Sequence, residues 1–175
     1  LFIAGHDRVA NSASPRLTDA GIKGSCTLLK LGRWMANDHK SLEHIAPQNP
    51  PAVHSWDSAI YSNDLVHEVG NLMLLPMELN KFVDNKEWAV KYLHYCHVGE
   101  RAKSKLTKLS ENAKNKGIVL SKKATNALSK ADYNCAVEPI LSVGDAGSWD
   151  ASRITDRTRQ IKELAWETLI SWLQP

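Results

Sequence analysis

The period of the apolar positions changes along the chain, and the changes mark its elements. Residues 1 to about 16 hold Gly5, Asn11, Ser12, Ser14 and Pro15 without a clear period, which predicts an irregular lead-in. From Leu17 to Met35, Ile22, Cys26 and Leu29 fall at i, i+4 and i+7. That is the spacing of one helix face, weakened by Gly21, Gly24 and Gly32. Ser41 to Ala46 is a short stretch closed by Pro47, with Pro50 and Pro51 behind it. It reads as a strand running into a proline-rich loop that continues through Trp56 and Tyr61. A second apolar run, Val69 to Leu75, is interrupted by Gly70-Asn71 and stopped by Pro76. Glycine followed by asparagine there predicts a turn at the mouth of a strand.

Beyond Pro76 the pattern is helical. Met77 to Val83 predicts one short helix, with Pro76 suited to its first turn. Trp88, Tyr92 and Tyr95 repeat at i, i+4 and i+7, shadowed by Ala89, Leu93 and Cys96. This predicts a wide apolar face on a helix from about Lys86 to His97. Ala102, Leu106, Leu109 and Ala113 predict another amphipathic helix, stopped near Gly117. Asn134 to Gly147 reads as a loop. The last helix is expected from about Ala151 to Leu173, with Ile154, Ile161, Ala165, Leu169 and Trp172 on one side. The expected class is α+β, a helix-rich domain around two or three short strands.

Composition narrows this further. With 175 residues, 43% hydrophobic and 23% charged, the chain has the make-up of one folded domain. No apolar run approaches the ~20 residues of a membrane span. Six Trp against two Phe predict hydrophobic clusters anchored by single indoles, with Trp88, Trp166 and Trp172 in the core and Trp56 unexplained. Cys26, Cys96 and Cys135 are odd in number and far apart, which supports neither a disulfide framework nor a cysteine zinc site and fits a reducing cytoplasm. The chain starts at Leu1, and Leu1 to Ala10 lacks the features of a signal peptide, so a piece of a longer protein is expected. Net charge is +3, unevenly placed: Arg101 to Lys123 holds eight basic residues and one acid, +7 on a remainder of −4. Such a block is either a solvated lysine-rich helix or a surface that meets polyanions.

The chemistry concentrates in Leu42-Glu43-His44-Ile45-Ala46-Pro47, Gly70-Asn71-Leu72 and Leu79-Asn80. Glu43 can offer a hard oxygen to Mg²⁺. His44 can deprotonate a water. Asn80 offers a neutral oxygen from a helix, and Asn71 can tie down loop backbone through its amide. Taken alone, His44 is explained as a hydrogen-bonded histidine at a strand end. Asn71 is equally a turn residue and Asn80 a solvent-facing helix residue. His94 and His97, on a tyrosine-rich helix, read as core or surface residues rather than ligands.

Together these strings resemble the HNH (ββα-metal) nucleases. The resemblance is carried by Leu42 to Pro50, by Val69-Gly70-Asn71-Leu72-Met73-Leu74-Leu75-Pro76 and by Glu78-Leu79-Asn80. More narrowly the chain resembles the C-terminal nuclease domain of GmrSD-type modification-dependent restriction enzymes. There an acidic-His-Ile-x-Pro-Gln motif precedes Gly-Asn-Leu-x-Leu-Leu and a later Asn. The step from Asn71 to Asn80 is also similar to that in the HNH domains of RNA-guided DNA nucleases. Asn85-Lys86-x-Trp88, Lys91, Trp149, Ile154, Arg157, Leu164 and Trp172 extend the match more weakly.

The resemblance implies a DNA endonuclease of a bacterial anti-phage restriction system, using Mg²⁺ or Mn²⁺. In it His44 is the general base, Asn71 the loop-holding catalytic-motif asparagine, and Glu43 and Asn80 the metal ligands. Glu43 stands where many such nucleases have aspartate. Arg101, Lys103, Lys105, Lys108, Lys114 and Lys116 would grip the DNA backbone. A ParB-like nucleotide-hydrolysing domain is the implied N-terminal partner, and no membrane is involved. Residues 1–25 are expected as a lead-in or linker and 26–175 as the nuclease domain, with core 41–97, basic segment 100–123 and final helix 151–173. The 48–68 insert places His54, Asp57, Asp64, His67 and Glu68 within possible reach of the metal. A non-catalytic nucleic-acid-binding module with a decayed nuclease core, or an RNA-cleaving toxin-type nuclease, is the alternative.

Overall fold

The computed structural model describes residues 41–75, 77–100, 102–118, 120, 122, 126, 137, 140, 141, 143, 144 and 147–174. The expected lead-in and the helix from Leu17 to Met35 lie outside the described residues, as do Arg101 and Lys123. Two three-residue strands, β1 (Leu42–His44) and β2 (Leu72–Leu74), pair antiparallel with Leu42 opposite Leu74, Glu43 opposite Met73 and His44 opposite Leu72. A sheet this small cannot stand alone. Helices surround it: α1 (Ala59–Ser62), α2 (Met77–Val83), α3 (Trp88–Gly99), α4 (Lys103–Asn115) and α5 (Ala151–Leu173). The fold is α+β and helix-rich, as the pattern predicts. No described helix is long and apolar enough to cross a membrane.

The expected loop between the strands contains α1 and two 3₁₀ turns, Leu65–His67 and Val69–Asn71. Within the expected loop from Asn134 to Gly147, Val137, Ile140 and Leu141 are helical, and Val137 and Ile140 are fully buried. Asn134, Pro139 and Gly144 obscured this in the sequence, although Val137, Ile140 and Leu141 share one helix face at i, i+3 and i+4.

The core gathers Ile45, Ile60, Met73, Leu75, Val83, Trp88, Tyr95, Trp149 and Ile154. Trp88 is its centre: it stacks on Trp149 at 5.9 Å between centroids and meets Tyr92 and Tyr95 at 5.7 and 6.4 Å. Trp56 is buried as well. Trp166, expected in the core, is 62% exposed. Ile154, Ile161 and Leu164 are buried, whereas Ala165 and Leu169 are exposed, so α5 runs past the described core beyond its fourth turn. The side chain of Trp172 is outside the described ones.

Long-range bonds dock α5 on the loop before β2. Asp150 caps the helix by accepting from the Arg153 amide at 2.9 Å, and Asp57 from the insert accepts from the Ala151 amide at 3.0 Å. Both carboxylates sit at the positive end of the helix dipole. Below them the Gly70 amide donates to Thr158 Oγ1 at 2.9 Å, and the buried Arg157 donates to the carbonyls of Gly70 and Leu72 at 2.8 and 2.9 Å. The backbone approach at Gly70 is so close that a Cβ there would collide with the Ile154 carbonyl oxygen and with Thr158. Gly70→Ala is therefore expected to cost about 3 kcal/mol, the upper end for overpacking. For a domain of this size that lowers the Tm by ~6–12 °C. A thermal melt unchanged from the parent would contradict this packing.

Candidate active site

The turn Val69–Asn71 delivers Asn71 into the interior with no exposed surface. Its amide is fully used. Nδ2 donates to the carbonyls of Ala46 and Val66 at 2.9 and 2.8 Å, and Oδ1 accepts from the Ala46 amide at 2.8 Å and from the Trp149 indole at 3.1 Å. The Asn71 carbonyl also accepts from the Ile45 amide at 2.9 Å. Residues 45 and 46, which follow His44, are thus held on both sides. Asn71 itself does not line the cavity described next; it fixes the backbone that carries His44.

That cavity, about 190 Å³, is lined by Leu42, Glu43, His44, Pro47, Gln48, Asn49, Asn80, Asp84, Asn85 and Lys91. Three of the sequence-predicted residues, Glu43, His44 and Asn80, meet there. His44 closes β1 and is half-buried, and neither ring nitrogen has a hydrogen-bond partner among the described residues. Its pKa is lowered, first by burial and then by His67 and Lys91. Neutral imidazole is thereby the favoured form.

Glu43, the neighbouring strand residue, turns to the interior, with only 3% of its side chain exposed. Its Oε1 accepts from Lys91 Nζ at 2.6 Å and from the Tyr95 hydroxyl at 2.8 Å. Lys91 Nζ also donates to the His44 carbonyl at 2.8 Å. Burial pushes the Glu43 carboxyl up and the Lys91 ammonium down, against their mutual attraction. Burial also holds the Tyr95 hydroxyl well above its ordinary pKa, so it remains a donor. Oε2 of Glu43 has no hydrogen-bond partner among the described residues.

Asn80 lies mid-way along α2. Both its amide hydrogens are used, on Ser41 Oγ at 2.7 Å and the Leu42 carbonyl at 3.0 Å, so Oδ1 is the atom without a partner among the described residues. Among the described residues no group of three or more His, Cys, Asp or Glu is placed to hold a metal. Of the ligands expected from the sequence, Glu43 brings a carboxylate oxygen and Asn80 an amide oxygen to the cavity, and Asp84 adds a second carboxylate to its lining. Mg²⁺ accepts such a set, because it keeps several waters and takes further oxygens from a phosphate.

Of the insert residues named from the sequence, His67 meets His44 edge-on at 5.8 Å between centroids, with Gln48 Nε2 3.4 Å from its Nδ1. Asp57 is committed to two amides, those of Ala59 and Ala151, which lower its pKa. His54 accepts from the Trp56 amide, and Glu68 faces Lys162 at 3.8 Å. Asp64 occupies a left-handed turn position, φ 54°. His94 and His97 are buried, each with Nδ1 2.8 Å from a carbonyl of its own helix. Three residues of the site region were not singled out as site residues from the sequence. Lys91 and Tyr95 sit at i and i+4 on α3, a spacing that places them on one face. Asp84 directly follows α2 in a left-handed turn position, φ 41°, with its amide donating to the Asn80 carbonyl at 2.9 Å.

Lys103, Lys105, Lys108 and Lys114 of α4, and Lys116 just past its end, are all exposed, and Ala113 is the one fully buried residue of that helix. Lys105 has Glu100 at 3.5 Å.

The model of the family described as GmrSD restriction endonucleases, C-terminal domain, matches residues 22–164. The chain belongs to this family. No curated protein shows a significant match. The family carries an endonuclease of a restriction system, for which DNA is the substrate.

Within this GmrSD-type domain Asn71 is the structural test of the site. Asn71→Ala leaves the Ala46 amide and the Trp149 indole unpaired in the interior, each typically costing ~1–3 kcal/mol. A loss of about 3 kcal/mol in urea unfolding is expected, with an unchanged m-value. Asn71→Asp should fare no better, since it sets a carboxylate against the Ala46 and Val66 carbonyls. A parent-like midpoint for both would show that the amide does not hold the loop.

Proposed function

We propose that this domain is a divalent-metal-dependent endonuclease of the HNH type that hydrolyses DNA phosphodiesters in the cytoplasm, as part of restriction against phage. The observation that carries the reading is the single cavity in which Glu43, His44 and Asn80 meet, with an imidazole whose pKa is lowered by burial and an uncommitted oxygen on each of Glu43 and Asn80. His44 takes the proton from the attacking water. Asn71 keeps that imidazole in register by clamping Ala46. Glu43 and Asn80 would hold Mg²⁺ or Mn²⁺, which when bound would supply positive charge to the scissile phosphate and the departing 3′ oxygen. The exposed lysines of α4, together with Arg101, grip the phosphate backbone without reading sequence. Target choice belongs to a partner region, for which a ParB-like nucleotide-hydrolysing domain is the expectation from family resemblance.

Cleavage of plasmid DNA by the chain is the direct test. EDTA should abolish it while the circular dichroism spectrum persists. His44→Ala should lower the rate by at least ~10²-fold, the smaller end of general-base contributions. Asn80→Ala should be partly rescued by more metal. A His44→Ala chain cutting at the parent rate would sink the assignment, and preferential cutting of RNA in parallel would redirect it to an RNA-cleaving toxin.

The pH profile follows from the direction of the His44 shift. The base works when unprotonated, and its pKa is lowered from the ordinary ~6.5. The acid limb of kcat/KM should therefore lie below pH 6.5, with activity retained through neutrality. A limb above that value would mean that a different group limits the rate.

Replacing Lys103, Lys105 and Lys108 with Glu should weaken DNA binding alike for unrelated sequences and flatten its dependence on salt. Unaltered binding at low salt would return α4 to a merely solvated helix.

A further inference from the structure

Glu43 and Asn80 each bring one uncommitted oxygen to the cavity, but that of Glu43 belongs to a carboxylate that is already engaged. Glu43 is held from α3 by two donors that end on the same atom. Lys91 Nζ and the Tyr95 hydroxyl both donate to Oε1, at 2.6 and 2.8 Å. Both donors have no exposed surface, and Lys91 is further pinned by the His44 carbonyl at 2.8 Å. The geometry points to Lys91 and Tyr95 as positioning residues that grip Glu43 by Oε1 and present Oε2 alone to a divalent cation in the cavity. The inference rests on the reading of Glu43 as a metal ligand and adds how that ligand is held.

The argument is one of reach. β1 and α3 are separate elements, and the carboxylate of Glu43 spans from the strand to the Lys91–Tyr95 face of the helix. An aspartate would withdraw the carboxylate by about one C–C bond, ~1.5 Å. Hydrogen bonds of 2.6 and 2.8 Å do not survive such a retreat. Glutamate at this position is therefore matched to Lys91 and Tyr95, and the three residues work as a set. A carboxylate gripped by one oxygen loses rotational freedom before the cation arrives, so less ordering remains at binding. Partners that orient a ligand in this manner typically account for about 10- to 100-fold in metal affinity.

The test is Mn²⁺ binding to the full chain, read from the electron paramagnetic resonance of free Mn²⁺, alongside thermal melts. Tyr95→Phe removes one hydroxyl and should weaken Mn²⁺ binding about 10-fold. Glu43→Asp, nominally conservative, should weaken it at least as much. In the Glu43→Asp background, Tyr95→Phe should have no further effect, because the bond it deletes is already gone. A Tyr95 that serves only packing would lower the Tm and leave the affinity of the folded protein unchanged, and that result would overturn the inference. So would independent, additive losses in the double variant. If Tyr95→Phe folds poorly, Glu43→Asp carries the same question: parent-like affinity overturns the inference. Glu43→Gln separates the two levels of the argument. Unchanged Mn²⁺ affinity in Glu43→Gln would remove Glu43 as a ligand and the inference with it. A large loss there beside parent-like Tyr95→Phe would leave the ligand standing and discard only its positioning by α3.

Discussion

The amide of Asn71 is the constraint on which the site depends. Both of its hydrogens and both lone-pair positions of its oxygen are engaged, and they reach the loop after His44, the insert at Val66 and the head of the last helix at Trp149. No other side chain of its size supplies two donors and two acceptors in that arrangement. Because the group is wholly buried, each of those bonds costs more to lose than it contributes when present. The features around it serve the same point: Gly70 admits α5 at backbone distance, and Arg157 covers carbonyls on either side of Asn71.

The motifs were legible because their chemistry is local. Glu43-His44 at a strand end, Gly70-Asn71 at a strand mouth and Asn80 on a short helix can be read from adjacent residues, and the helices α2 to α5 follow from periodicity and the glycine at position 117, where φ is +70°. The environment of Glu43 was not legible. Nothing in one sequence says that Lys91, 48 positions away, is the lysine turned inward while those of α4 face solvent. Helical spacing from Tyr95 and Trp88 places Lys91 near the apolar face, but only the structure pairs it with a strand. The indoles divided in the same way. Trp88 lies on a helix covered on several sides, whereas Trp166 has equally good spacing on a helix that has already left the described core. Periodicity gives the apolar side of a helix, not how far its partner extends.

Charge is sorted by depth. Lys91 and Arg157 are cations without exposed surface, used to hold a carboxylate and a set of carbonyls, whereas the lysines of α4 stand in solvent. The small net charge of +3 conceals this division. Buried cations of this kind act on geometry at short range, while exposed ones act on a polyanion at distances set by screening.

The bonds that fix the His44 loop also impose an order on synthesis. Asn71 waits for Trp149 and Gly70 for Thr158, separations of 78 and 88 residues. A growing chain that has emerged as far as α4 already carries His44, Glu43 and Asn80, yet lacks the helix that docks on the Gly70–Asn71 turn. The His44 loop can therefore lock only late in translation, when α5 has left the ribosome. A product terminated before α5 therefore carries His44, Glu43 and Asn80 without the helix that docks on the Gly70–Asn71 turn.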